Sequence, residues 1–73
     1  MSIKNVSELL NLIAEGAPLK VKASHYAIDE LLTIANACAN AQVPLEIEGG
    51  LYLRTADLLE IAKLGKGKVT ISE

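Results

Sequence analysis

The chain repeats one short pattern three times, and this repetition limits the possible folds more than any other feature of the sequence. Each copy opens with an acidic residue and two leucines, continues to an Ile-Ala pair, and ends in a segment where polar and apolar residues alternate. The copies cover residues 7–24, 29–50 and 56–73. Repetition of this kind predicts one supersecondary unit that is used three times.

The two halves of each copy have different periods. In the first copy, apolar residues recur at the spacing of one helix face, at Val6, Leu9, Leu10 and Ile13. Residues 19–22 then alternate between apolar and lysine side chains, which is the period of a strand with one buried face. We therefore predict an α/β fold of three helix-strand repeats (αβαβαβ), in which all helices lie on one face of a parallel three-stranded sheet.

The pair Gly49-Gly50 leaves a second topology open. It either ends the second strand and enters a loop towards the third helix, or forms a two-residue hairpin turn between residues 45–48 and 51–54. The hairpin would give a ferredoxin-like βαββαβ fold with an extra N-terminal helix. Both topologies leave one face of the sheet without helices.

Charges on the strands favour the three-repeat sheet. In the order 1-2-3, the strand of Glu46 and Glu48 lies between the lysines of strand one, Lys20 and Lys22, and Lys68 of strand three. The ferredoxin-like order would instead place the first and last strands, and therefore their lysines, side by side. Opposite charges on neighbouring strands contribute about 0.2–1 kcal/mol per pair, whereas like charges destabilise the sheet.

The three-repeat arrangement resembles a very short leucine-rich-repeat-like array, with helices on one side of a parallel sheet. The Asn or Cys that follows the strand in the LxxLxLxxN/C pattern of those repeats is absent here. The resemblance therefore implies an architecture and no function.

Composition limits the class of protein. The 73 residues suffice for one small domain, residues 1–73, and its core must be aliphatic because the chain has two Tyr and no Phe or Trp. A net charge of −2 and few aromatic rings argue against nucleic-acid binding. Polar residues interrupt the N-terminal apolar stretch, unlike a signal peptide, and no apolar run reaches the roughly 18 residues of a membrane span. We expect a cytoplasmic protein that binds neither nucleic acid nor membrane.

The side chains that could act in catalysis or ligand binding do not form a recognisable catalytic set. His25, the single histidine, lies with Tyr26, Tyr52 and Arg54 near the expected carboxyl ends of the strands, where open α/β sheets bind ligands. It has no nucleophile or second ligand at a useful spacing. The single cysteine, Cys38, lies on an apolar helix stripe and excludes an intramolecular disulfide and a cysteine-rich zinc site. We predict no enzymatic activity, no cofactor and no metal.

These observations predict a small non-enzymatic protein–protein interaction module. It would self-associate and bind a larger protein, as an adaptor, an immunity or inhibitor protein, or a phage-type accessory protein does. The alternative is a small-molecule-binding domain or weak enzyme with its site at the carboxyl ends of the strands. The candidate interaction or ligand surface comprises Lys20, Lys22, His25, Tyr26, Glu46, Glu48, Tyr52, Arg54, Lys68 and Thr70.

Two routes to a homodimer are open. The last strand leaves an unpaired edge to which a second copy can add. Alternatively, the copies associate through helix faces, where Leu12, Ile34 and Leu64 lie off the main apolar stripes.

Overall fold

Helices and strands alternate along residues 5–72, the part of the chain described by this computed structural model. The helices are α1 (Val6–Ala14), α2 (Ile28–Ala41) and α3 (Thr55–Gly65), and the strands are β1 (Leu19–Lys22), β2 (Leu45–Glu48) and β3 (Val69–Ile71). Short 3₁₀ turns, Ala23–His25 and Gly50–Tyr52, connect β1 to α2 and β2 to α3. The predicted three helix-strand repeats are confirmed.

The three strands form one parallel sheet in the order β1-β2-β3. Leu45, the first residue of β2, is paired with Leu19 on one side and Val69 on the other. The same register places Lys20 opposite Glu46. The strand order that the charge pattern favoured is therefore the observed one.

Gly49 and Gly50 do not form a hairpin, so the ferredoxin-like alternative is wrong. Gly49 follows β2 with a φ of +80°, in the left-handed region that favours glycine, and Gly50 begins the second 3₁₀ turn. A Cβ atom on Gly50 would lie 2.7 Å from Cγ2 of Ile71. The Gly50 backbone N–H donates to the carbonyl oxygen of Ser72 at 2.9 Å. Glycine is needed at position 50 because the end of β3 lies against it.

The acidic residue of each repeat occupies the third position of its helix. The Glu8 backbone N–H donates to the side-chain oxygen of Asn5, and the Glu8 carboxylate accepts from the Asn5 N–H, which completes a capping box. The Glu30 carboxylate likewise accepts from the backbone N–H of Ala27 at 2.8 Å. In α3 the equivalent acid, Asp57, accepts from the Arg54 side chain instead. The repeated acid therefore marks where each helix begins.

The core lies between the helices and one face of the sheet. Its fully buried large side chains are Leu31, Ile34, Leu45, Ile47, Ile61 and Cys38. Ile34 was expected to lie off the buried stripe, and that expectation is wrong. α2 packs between α1 and α3, so it buries a wider face than a helix with one neighbour. Leu12 and Leu64 are also partly buried against the core, which weakens the case for a helix-face dimer.

Burial decreases towards the last strand. The inward-facing residues of β1 and β2 are buried, whereas Val69 and Ile71 of β3 are only half-buried. Helix α3 contacts β3, and among the described residues no helix follows β3. The outer flank of β3 is consequently open on its helix side.

Replacement of Ile47 by Ala tests this core. Ile47 is fully buried in the central strand, so its truncation should lower the free energy of unfolding by about 2–5 kcal/mol. Leu59→Ala is the matched control, because Leu59 is 62% exposed and should change stability by less than about 0.5 kcal/mol. Urea unfolding followed by circular dichroism measures both, and equal losses would contradict the assigned core.

Candidate interaction surface

The face of the sheet opposite the helices is polar and uncovered by any described element. We call it the open face. It carries the side chains of Lys20, Lys22, Glu46, Glu48 and Thr70. The lysines and the threonine are exposed, and the glutamates are half-exposed. Five of the predicted surface residues are thus brought together on one surface.

Lys20 is the centre of the ion pairs on the open face. Its Nζ lies 3.9 Å from Oε2 of Glu46 and 3.6 Å from Oε2 of Glu48. Pairs between exposed side chains contribute at most about 1 kcal/mol. Lys68 was expected to lie opposite the glutamates, but it precedes β3, and the residue opposite Glu46 is Thr70. The lysine–glutamate pairing therefore occupies one half of the open face.

A groove borders the open face where the strands end. It has a volume of about 420 Å³ and is open to solvent. Its described walls are formed by Lys22, Ser24, Glu48, Gly49, Leu51 and Tyr52. Leu51 and Tyr52 are 78% and 77% exposed, more than any other large hydrophobic residue in the described part of the chain. We call these two adjacent side chains the apolar rim.

The apolar rim arises from one inserted residue. Lys22 and Glu48 are paired in the sheet, but the first 3₁₀ turn begins directly after Lys22, whereas Gly49 separates Glu48 from the second turn. From there on, each turn leads into its helix after the same number of residues. Tyr52 is consequently equivalent to His25, and both are exposed.

The same insertion makes Tyr26 equivalent to Leu53 and not to Tyr52, although each tyrosine lies a few residues before the acid and double leucine of its repeat. Tyr26 and Leu53 are both partly buried against the core. Burial raises the pKa of the Tyr26 hydroxyl, and the nearby charges of Glu30 and Glu8 raise it further. Tyr26 is therefore chiefly a packing residue.

The residues proposed for a ligand site at the strand ends are only partly assembled. Tyr52 contributes to the groove, whereas His25, Tyr26 and Arg54 are not among its described lining residues. The rings of His25 and Tyr26 are 6.5 Å apart and tilted by 60°. The Arg54 Nε donates to Oδ2 of Asp57 at 3.3 Å, on the first turn of α3.

Leu51 is the surface residue that sequence reasoning missed. In the sequence it belongs to an alternating segment, Leu51-Tyr52-Leu53, which is typical of a strand. The useful signal was Gly49, since no equivalent residue separates Lys22 from the first 3₁₀ turn. An extra residue at this point predicts that the next apolar side chains change their direction.

Cys38 is buried and free, and burial raises the pKa of its thiol. A thiol of this kind is a poor nucleophile, because the thiolate is the reactive form. Within residues 5–72, no three His, Cys, Asp or Glu side chains are arranged to hold a metal ion. In the same range, no helix has the length and hydrophobicity that are needed to cross a membrane.

Comparison of the chain with protein-family models, with curated proteins and with solved structures found no match. The geometry of the surface is therefore the basis for the function proposed below.

Thiol labelling tests the assigned role of Cys38. In the folded protein the aromatic disulfide reagent DTNB should modify Cys38 at least about a hundredfold more slowly than in denaturant, because reaction requires opening of the core. Ser24→Cys in a Cys38→Ser background is the control, since Ser24 is exposed and its replacement should react rapidly without unfolding. Rapid labelling of native Cys38 would contradict its burial.

Proposed function

We propose that the protein is a non-enzymatic interaction module that docks a larger protein on the open face and the adjoining apolar rim. One observation carries the proposal. Two large, highly exposed apolar side chains, Leu51 and Tyr52, lie next to a sheet face that bears charges and no helix.

The apolar rim is suited to supply binding energy. Complete burial of a large apolar side chain contributes about 1.5–3 kcal/mol relative to exposure. Tyrosine is enriched among the residues that dominate protein interfaces, because it combines a large apolar ring with a hydroxyl group that can reach a polar partner. Leu51 and Tyr52 together offer the partner such an anchor.

The charges of the open face are suited to select the partner. Charges across an interface contribute to orientation and to the rejection of wrong partners more than to affinity. Here Lys22 and Glu48, of opposite sign, stand beside the apolar rim. The partner that fits presents an apolar residue to the rim and carries acidic and basic side chains beside it.

The polar groups of the described residues support a binding role over a catalytic one. General acid–base chemistry needs a positioned set of groups within hydrogen-bonding reach of one substrate position. The polar walls of the groove, Lys22, Ser24 and Glu48, are exposed or half-exposed, and among residues 5–72 no polar or charged residue is buried in the core. Neither the groove nor the core provides the buried, desolvated polar group that general acid–base chemistry uses.

A small-molecule site in the groove is the second candidate. A volume of about 420 Å³ lies within the usual range of ligand pockets, about 300–1,000 Å³. Such pockets bury most of the ligand, however, and this groove is open to solvent. A protein partner covers the groove and the open face together, which favours docking.

We also propose a cytoplasmic location. Its support is the single cysteine, which is free and buried. A reducing compartment maintains such a thiol without a disulfide partner.

The double variant Leu51→Ser/Tyr52→Ser tests the docking proposal. Full-length tagged protein is used to capture partners from the source cells, and quantitative mass spectrometry compares the variant with the wild type. Proteins that bind the apolar rim should be retained by the wild type and reduced at least about tenfold by the variant, since loss of 1.4 kcal/mol already has that effect.

Leu59→Ser is the matched control for this experiment. It also replaces an exposed leucine, but on helix α3. The control should retain the same partners as the wild type, and circular dichroism should show that all three proteins are folded. Retention of every partner by the double variant would refute docking on the rim, and so would an equal loss in the control.

A further inference from the structure

The free edge of β3 has backbone groups that the described residues leave unused. Lys68 and Ser72 direct their backbone groups towards β2, since the Lys68 carbonyl accepts from Leu45 and the Ser72 N–H donates to Ile47, each at 2.9 Å. In a parallel pair, alternate residues of a strand bond to the same neighbour. The N–H and C=O groups of Val69 and Ile71 therefore point away from the sheet, as a row open to another strand.

The side chains of β3 also match an added strand. Val69, Thr70 and Ile71 are all β-branched and uncharged, the residue types most favourable in strands. Val69 and Ile71 are half-buried on the helix side, so an added strand would cover apolar surface that is now exposed. On the open face, Thr70 presents a short side chain that allows close approach.

The opposite edge of the sheet is protected. The Leu19 N–H donates to the Pro44 carbonyl, so alternation directs the backbone groups of Lys20 and Lys22 outwards. Two β1 edges that met around a twofold axis would place these lysines against each other, and like charges opposite each other destabilise a sheet. Lysine on an edge strand is a common means to prevent such pairing.

We infer that a second copy of the chain binds at the β3 edge, with the two β3 strands antiparallel about a twofold axis through Thr70. In this register Val69 of one copy exchanges both backbone hydrogen bonds with Ile71 of the other, and every residue of β3 is paired. Thr70 faces Thr70 of the second copy, and Lys68 faces Ser72, so no like charges meet. The product is a continuous six-stranded sheet whose two open faces lie on the same side.

A charge placed at position 70 tests this register. Thr70 is exposed, so Thr70→Lys and Thr70→Glu should leave the monomer folded. Directly opposite residues in a non-hydrogen-bonded antiparallel pair have Cα atoms about 4.5 Å apart, so each variant places like charges in close contact in its own dimer. Sedimentation equilibrium from micromolar to submillimolar protein should show a wild-type dimer and a dissociation constant about two- to fivefold higher for each variant.

An equimolar mixture of the two variants should regain the dimer, because Lys and Glu then face each other. Asn36→Lys is the control, since it adds the same charge at an exposed position of α2 and should dimerise like the wild type. A monomeric wild type, assemblies larger than a dimer, an unaffected Thr70→Lys variant or a mixture that fails to associate would each overturn the inference.

Amide hydrogen exchange locates the contact independently of the variants. The Val69 and Ile71 amides should exchange more slowly as wild-type protein concentration rises, and unchanged exchange in a dimer would overturn strand pairing.

Dimerisation through β3 is independent of partner docking on the apolar rim. The variant Leu51→Ser/Tyr52→Ser should therefore dimerise as the wild type does. Loss of the dimer in that variant would contradict the β3 interface, whereas loss of captured partners alone concerns the docking proposal.

Discussion

One-sided burial of the sheet is the constraint on which the rest of the structure depends. Within the four residues of β2, Leu45 and Ile47 are buried under the helices while Glu46 and Glu48 reach the opposite face. A shift of one residue would exchange the two faces, because side chains alternate along a strand. The shift would then bury two carboxylates, each at a cost of several kcal/mol when unpaired. The same alternation thus sets the register, the side on which the helices pack and the face that stays available for binding.

The topology could be predicted from the sequence because two independent patterns agreed. The threefold repeat indicated equivalent units. The opposite charges of Lys20 and Glu46 on neighbouring strands distinguished the two possible strand orders. The details that failed depend on local backbone geometry or on the number of neighbours. Gly49 shifts the second turn by one residue, so the residue equivalent to Tyr26 is Leu53 and not Tyr52. The central position of α2 buries Ile34. Neither effect is visible in the period of the apolar residues.

The two edges of the sheet differ in a way that follows from the repeat itself. In β1 and β3 alike, the residues that face the helices are apolar, but the outward backbone groups belong to Lys20 and Lys22 in β1 and to Val69 and Ile71 in β3. The reason is that β2 bonds to β1 and to β3 through different sets of alternate residues. The lysines therefore protect one edge, and the other edge exposes backbone groups next to half-buried apolar side chains. A repeat that adds identical units cannot give both of its ends the same surface.

The proposed twofold arrangement and the proposed docking surface would reinforce each other in one respect. An axis perpendicular to the sheet would leave both open faces on the same side and would place the two apolar rims at opposite ends of the six strands. A partner with two matching sites would bind the second rim as an intramolecular event, so its avidity would exceed the affinity of either rim alone. Because each rim consists of two side chains beside Lys22 and Glu48, its separate affinity for the proposed partner would be modest, and the pairing of two rims is what would make a small domain a strong ligand.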